Sequence, residues 1–341
     1  MNQLTVLFLS LIFFCTACQT RIEDQEINTE NGLWTIDGVS ASNQFAGARL
    51  DSFTLIAPDH FQATISPENI PINASAWYAF KLWTDQARTI QLSLKYTHHK
   101  HRYIPKFSKN GQTWKTLEVP VQLNDDSTSA TMTIPISQDT LWVAAQEVIS
   151  SQNTYAWVDS LLSKHSTLSQ EIAGKSTLGK SIYVLNHEPP GVEKAVVLIA
   201  RQHPPEIPGG AIAFMAFLEE LFQDNSVAEA FRQSYNLYVF PLLNPDGADL
   251  GNWRHNANGK DLNRDWIDFT QAETQTARDF VNQKIEEGRK ITFGIDFHTS
   301  YSGPYLLILD SLNEASLETK IIPKWRSKIL GDSLDMLDYR R

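Results

Sequence analysis

Arg201-Gln202-His203-Pro204-Pro205-Glu206-Ile207-Pro208-Gly209-Gly210 follows directly on the apolar run Ala195 to Ala200. The run is rich in Val and Ile and short enough for a buried strand. The chain then releases a His and a Glu three positions apart, is broken by Pro and Gly, and enters a helical pattern over Ala211 to Phe222. Open α/β sheets place their ligands at strand-loop-helix junctions of this kind. His203 offers an imidazole nitrogen and Glu206 a carboxylate, and zinc binds both at roughly 2.0–2.2 Å. Taken alone, the pair also suits an ordinary turn. The rest of the chain decides between the two.

Downstream, strands and helices alternate: strand 195–200, helix 211–222, strand 237–243, helix about 271–287 and strand 291–297, with Gly288 as a helix stop. Such alternation predicts an α/β fold with a mixed, mainly parallel sheet sandwiched by helices. Tyr155 to Leu162 reads as a helix, and Ile172 to Leu185 as two short strands around a turn. Gly174-Lys175-Ser176 lacks the upstream Gly that a phosphate loop requires.

Three strand ends release polar residues. The first gives His203 and Glu206. The second gives Asn244-Pro245-Asp246-Gly247, then Trp253-Arg254 and Gly259-Lys260-Asp261-Leu262-Asn263-Arg264-Asp265-Trp266. The third gives Asp296-Phe297-His298-Thr299-Ser300. Two His and one Glu make a three-ligand zinc site with an open fourth position, the arrangement of catalytic rather than structural zinc. Arg254 and Arg264 beside it suit a substrate carboxylate and a developing oxyanion.

Together these segments resemble the zinc carboxypeptidase family, with the stretch ahead of them most similar to the cytosolic-carboxypeptidase branch. His203-Pro204-Pro205-Glu206 matches the family's His-x-x-Glu pair, and His298 its third ligand. The resemblance implies one zinc ion per chain held by His203, Glu206 and His298. It implies that Arg254 polarises the scissile carbonyl, that Asn263 and Arg264 hold the substrate's terminal carboxylate, and that Asp261 supports the first metal-binding His. Hydrolysis of C-terminal peptide bonds, on peptides or protein C-termini, is the implied activity. The family's general base is a Glu on a late strand, preceded by a Tyr, and no match is found in this chain. Glu314 and Glu318 sit in a polar, helix-like stretch, and Tyr339 is at the terminus. Two other readings stay open: a zinc amidohydrolase acting on N-acyl amino acids, and an inactive peptide-binding remnant without the base.

The remaining chain supplies the frame. Residues 33–150 alternate bulky and polar positions, as in Thr89 to Tyr96 and Thr131 to Ile136, with Asn110-Gly111 as a tight turn. An all-β, antiparallel sandwich is expected there, ahead of a zinc carboxypeptidase-like domain over 151–341 that is expected to be incomplete at its C-terminus. His98, His99 and His101, interleaved with Lys100 and Arg102, read as a solvated loop. Residues 19–32 read as a polar linker. Residues 1–18 are apolar, too short to span a bilayer, and end in Cys15-Thr16-Ala17-Cys18. They resemble a lipoprotein signal, with an ordinary secretory signal as the alternative. The implied location is the bacterial cell envelope, with membrane attachment only through a lipid on Cys18. The two cysteines leave no thiol for a metal site in the body of the chain. A net charge of -10 argues against nucleic-acid binding.

Overall fold

The computed structural model describes residues 28–30, 32–69, 75–300, 305–307 and 338–340. The expected signal and lipid site over 1–18 lie outside them, as do Glu314 and Glu318. For the strand Asp338–Arg340, which holds Tyr339, only the backbone is described. No helix among the described residues is long and apolar enough to cross a membrane.

The described residues between 28 and 150 form two sheets. One has seven strands in the order Asn28–Glu30, Leu33–Ile36, Val39–Ser42, Ala79–Thr84, Leu141–Ala144, Lys106–Ser108, Trp114–Thr116. The other has five, in the order Gln122–Leu123, Ser129–Ile136, Arg88–Tyr96, His60–Ile65, Ser52–Ala57. Along Ser129–Ile136 alternate residues are buried, as a strand with one face on a core requires. Phe53, Phe61, Tyr78, Phe80 and Tyr96 fill the space between the sheets. Two expectations are corrected here. The strands are not all antiparallel, because His60–Ile65 pairs parallel with Arg88–Tyr96. The residues read as a linker end in a strand, because Asn28–Glu30 finds backbone partners on Leu33–Ile36.

The second unit opens with the helix Ser151–Lys164, capped by a reciprocal pair between Ser150 and Asn153. The cap sets its start four residues before the position read from the apolar pattern. A five-stranded mixed sheet follows in the order Ser169–Lys175, Ser181–His187, Asn236–Phe240, Lys194–Ala200, Lys290–Phe297. Its first two pairings are antiparallel and its last two parallel. Alternation along the strands splits the core between the two faces. Val196, Leu198, Leu237 and Val239 pack against Val158, Leu161, Phe214 and Leu218. Ala195, Val197, Tyr238 and Phe240 pack on the other face against Ala277 and Phe280 of the helix Ala272–Glu286. A further helix, Ser226–Ser234, capped by Asn225, was not expected.

Lys194–Ala200 and Lys290–Phe297 are adjacent and parallel, with Ala200 opposite Phe297. The segments after both strands therefore leave the sheet at the same end, side by side. That register brings residues almost a hundred positions apart into one site.

Candidate metal centre

Two backbone features shape the loop after Lys194–Ala200. Arg201 turns the chain through a positive φ of 58° and buries its guanidinium, which donates to the carbonyl of Ile149 at 2.8 Å. Ile207–Ala213 then forms a wide π-type turn before the α-helix Phe214–Leu221. Pro208 lacks the N–H a tighter turn would use, and π-type turns recur at functional sites. Gly209 lies where this turn meets the other loop. A Cβ added there would stand 2.2 Å from the carbonyl oxygen of His298. Only a residue without a side chain permits the approach.

His203, Glu206 and His298 converge so that one ligand atom from each lies within 4.8 Å of the others. His203 Nδ1 is 2.7 Å from Glu206 Oε1, and His298 Nδ1 is 2.8 Å from Glu206 Oε2. The backbone N–H of Thr299 donates to Glu206 Oε2 at 2.8 Å. Each ring is held from behind by a second carboxylate: His203 Nε2 by Asp261 at 2.9 Å, His298 Nε2 by Asp296 at 2.6 Å. With the proton on Nε2, each Nδ1 presents a lone pair toward the Glu206 carboxylate. Two neutral imidazoles and a carboxylate, each backed by an outer acceptor, suit a zinc ion.

The electrostatics follow from this crowding. Burial alone would raise the Glu206 carboxyl, but the two imidazoles hold it down to about 2. Burial alone would lower His298, but Asp296 and Glu206 raise it to about 10. Asp261 is likewise depressed, because the hydrogen bonds from His203 and Arg254 outweigh its burial. Without a cation the site gathers protons between its carboxylates, and a divalent ion answers the same field.

Asp261 does three things. Oδ1 takes His203 and also the backbone N–H of Asn263 at 2.9 Å, starting the short turn Leu262–Arg264. Oδ2 takes Arg254 Nε at 2.7 Å. The guanidinium of Arg254 is thereby fixed beside the ligands, and it lines a cleft of about 450 Å³ with His203 and Glu206. Asn263 and Arg264 are placed differently from expectation. Neither lines the cleft, and Arg264 is exposed with its guanidinium on the Asn263 carbonyl at 3.1 Å. In a one-turn helix successive side chains leave in different directions. Asp261 takes the inward direction, and the charged Arg264 stays in water.

Asn244-Pro245-Asp246-Gly247 is scaffold. Asn244 caps the helix Pro245–Leu250 and donates to the carbonyls of Gln202 and His255. Asp246 accepts from Ser176 Oγ and Leu178 N, both at 2.8 Å, tying the first hairpin to this loop. Asp265 accepts from Thr270, Gln271 and Thr274 and so anchors the start of the Ala272–Glu286 helix.

Several residues around the site carried no sequence expectation of a role. Asp296 takes Gln202 Nε2 as well as His298, and Gln202 Oε1 accepts from Trp266 Nε1 at 2.8 Å. Asp296 sits two positions before His298, on the same side of an extended strand, and period two could have found it. Glu68 of the β domain accepts from the backbone N–H groups of Arg254 at 2.8 Å and His255 at 3.2 Å. The His98–His101 loop is corrected too. His99 packs edge-on against Trp253, and His101 pairs with the Tyr96 hydroxyl at 3.0 Å. The residues that follow, Arg102 and Tyr103, form part of the cleft wall instead of a free loop.

A mixed α/β sheet thus carries a two-histidine, one-carboxylate cluster at its strand ends. Residues 154–292 match the family model for zinc carboxypeptidases. The chain is 26% identical over 294 residues to cytosolic carboxypeptidase 3 of Mus musculus, covering 75% of this chain and 28% of that protein. It is 32% identical over 134 residues to cytosolic carboxypeptidase 2 of Xenopus tropicalis, covering 36% and 14% respectively. The solved structure of a metallo-carboxypeptidase from Burkholderia cenocepacia superposes with a TM-score of 0.73 at 20% identity, over 89% of this chain and 83% of that one. That likeness shows a shared fold. The chain is thus similar to the zinc carboxypeptidases over residues 154–292 and to the cytosolic carboxypeptidases over a longer stretch. It spans less than a third of the length of the curated relatives named here.

Proposed function

We propose that this protein is a zinc-dependent metallocarboxypeptidase that hydrolyses the last peptide bond of peptides or protein C-termini. The observation that carries the reading is the convergence of His203 Nδ1, Glu206 and His298 Nδ1, with both Nε2 atoms held by Asp261 and Asp296. One zinc ion per chain would be held by these three side chains, and it would supply a Lewis acid for the scissile carbonyl and for the attacking water.

The chain's own residues do the rest. Asp261 and Asp296 keep the imidazole protons on Nε2. Arg254, pinned by its Nε, presents its remaining nitrogens to the cleft, where they would hold negative charge growing on the carbonyl oxygen. Arg102, Arg254 and Lys106 line the same cleft against one lining carboxylate, Glu206, although Lys106 is paired with Glu147 and Arg254 with Asp261. That supports a substrate with a free carboxylate. Asn263 and Arg264, one turn from the cleft, would hold this carboxylate if the arginine swings inward from its exposed position. Among the described residues Glu206 is the only carboxylate lining the cleft, and none of the others there suits the part of general base.

The test is direct. The zinc-loaded full chain is incubated with N-acetylated tripeptides ending in each amino acid, and the free C-terminal residue is measured. Release that disappears in His203→Ala and His298→Ala, together with bound zinc, is expected. Release of acetate with the peptide bonds intact would instead identify the amidohydrolase. Tight zinc with no turnover would identify the binding remnant.

We further propose that the protein is exported to the bacterial cell envelope and anchored by a lipid on Cys18. A fatty-acid label that appears in the wild type and is lost in Cys18→Ala would support this; labelling of both alike would refute it.

A further inference from the structure

The β domain does not merely precede the site. Trp253, next to Arg254 in sequence, packs against the edge of the β-sandwich core. Its indole Nε1 donates to the hydroxyl of Tyr103 at 3.2 Å. The guanidinium of Arg102 lies 5.4 Å from the Tyr103 ring centre and 5.6 Å from that of Trp253. Tyr103 lines the cleft shared with His203, Glu206 and Arg254. The β domain thus supplies part of the cleft wall, and Tyr103 is near enough to Glu206 for that carboxylate's charge to act on the phenol.

A phenol hydroxyl is both donor and acceptor. Indole N–H can only donate, so Trp253 occupies an acceptor lone pair of Tyr103. Among the described residues no acceptor is paired with the phenol's own proton. Burial raises its pKa, so the group stays a phenol. Because Trp253 adjoins Arg254, the same hydrogen bond fixes the spacing between the phenol donor and the guanidinium.

We propose that Tyr103, carried by the β domain, is a substrate-binding residue whose phenol O–H donates a hydrogen bond to an oxygen of the bound peptide. The proposal rests on the peptidase reading above. It assigns the β domain a direct part in binding and makes the site a composite of both domains.

Tyr103→Phe keeps the ring and removes the phenol donor together with the acceptor of Trp253 Nε1. In the zinc-loaded full chain we expect the best acetylated tripeptide to lose about threefold to tenfold in kcat/KM, the worth of one neutral hydrogen bond. Zinc content should stay at the wild-type value, and the thermal midpoint should fall by no more than about 4 °C, the effect of the one lost indole–phenol bond. Trp253→Phe frees the phenol to turn and should give a loss in the same direction. A change smaller than about threefold in Tyr103→Phe overturns the proposal. So does a loss accompanied by lost zinc or by a midpoint lowered by more than about 4 °C, which would mean a structural role. If the wild type binds zinc but releases no amino acid, the peptidase reading fails separately. Calorimetric binding of the same tripeptides then decides: weaker binding by Tyr103→Phe supports the contact, while equal binding, or none by the wild type, overturns it.

Discussion

Gly209→Ala should empty the metal centre without touching a ligand. The added Cβ would stand 2.2 Å from the His298 carbonyl oxygen and 3.0 Å from Thr299 Oγ1. Carbon–oxygen contacts settle at about 3.3–3.6 Å, so the two loops must separate by roughly 1 Å. The obstacle is backbone, not the end of a flexible side chain, so the His298 segment itself must move. Metal sites tolerate only about 0.2 Å in ligand distance. Displacing one of three ligands by several times that should weaken zinc at least about 100-fold, beyond the 10- to 100-fold typical of lost outer support. Overpacking adds about 1–3 kcal/mol of destabilisation, or roughly 2–10 °C in thermal midpoint. Zinc affinity by chelator competition and the midpoint of the metal-free protein measure the two effects separately. Gly294→Ala is the control, because its Cβ would meet only Val197 O at an ordinary 3.7 Å. Wild-type zinc affinity in Gly209→Ala would refute the claim that this contact sets the position of His298.

Proton and metal compete for the same site, which fixes the sign of its pH dependence. In the metal-free protein His298 is raised from 6.5 to about 10, so its contribution is complete below pH 6.5 and fades as pH rises toward 10. Glu206 is depressed from 4.5 to about 2, so its share is complete above pH 4.5 and fades toward pH 2. The metal-free thermal midpoint should therefore fall from pH 6.5 upward while the increment given by zinc grows; a zinc increment that stays flat over this range would contradict the arrangement. Glu68→Ala removes the acceptor of two backbone N–H groups at Arg254 and His255. Burial alone would raise Glu68, but His255 and the backbone amides hold it down to about 2, so it is charged at neutral pH. Its loss should cost about 1.5–3 kcal/mol by chemical unfolding and lower kcat through a loosened Arg254, while zinc stays bound. A stability change below about 0.5 kcal/mol would show that the β domain does not hold this loop.

The metal donors were legible because ligand chemistry is local. His203 and Glu206 stand three apart after a strand-like run, and few residue types bind zinc. The alternation of strands and helices was legible because periodicity reports which faces are buried. Asp261 could be read from its turn. Other features could not be read locally. Whether His203 and His298 meet depends on the parallel register of two strands whose sequences carry no mark of pairing partner. Whether Arg264 faces the cleft depends on side-chain direction in a three-residue turn. Glu68 reaches Arg254 across 186 positions, and Tyr103 reaches Trp253 across 150. A carboxylate or a phenol in a loop looks the same whether it faces water or another domain. Composition and spacing thus determined which candidate donors and which alternation of strands and helices the chain offers. Tertiary packing alone decided which side chains share the cleft, because hydrogen bonds and burial act over a few ångströms of space regardless of separation along the chain.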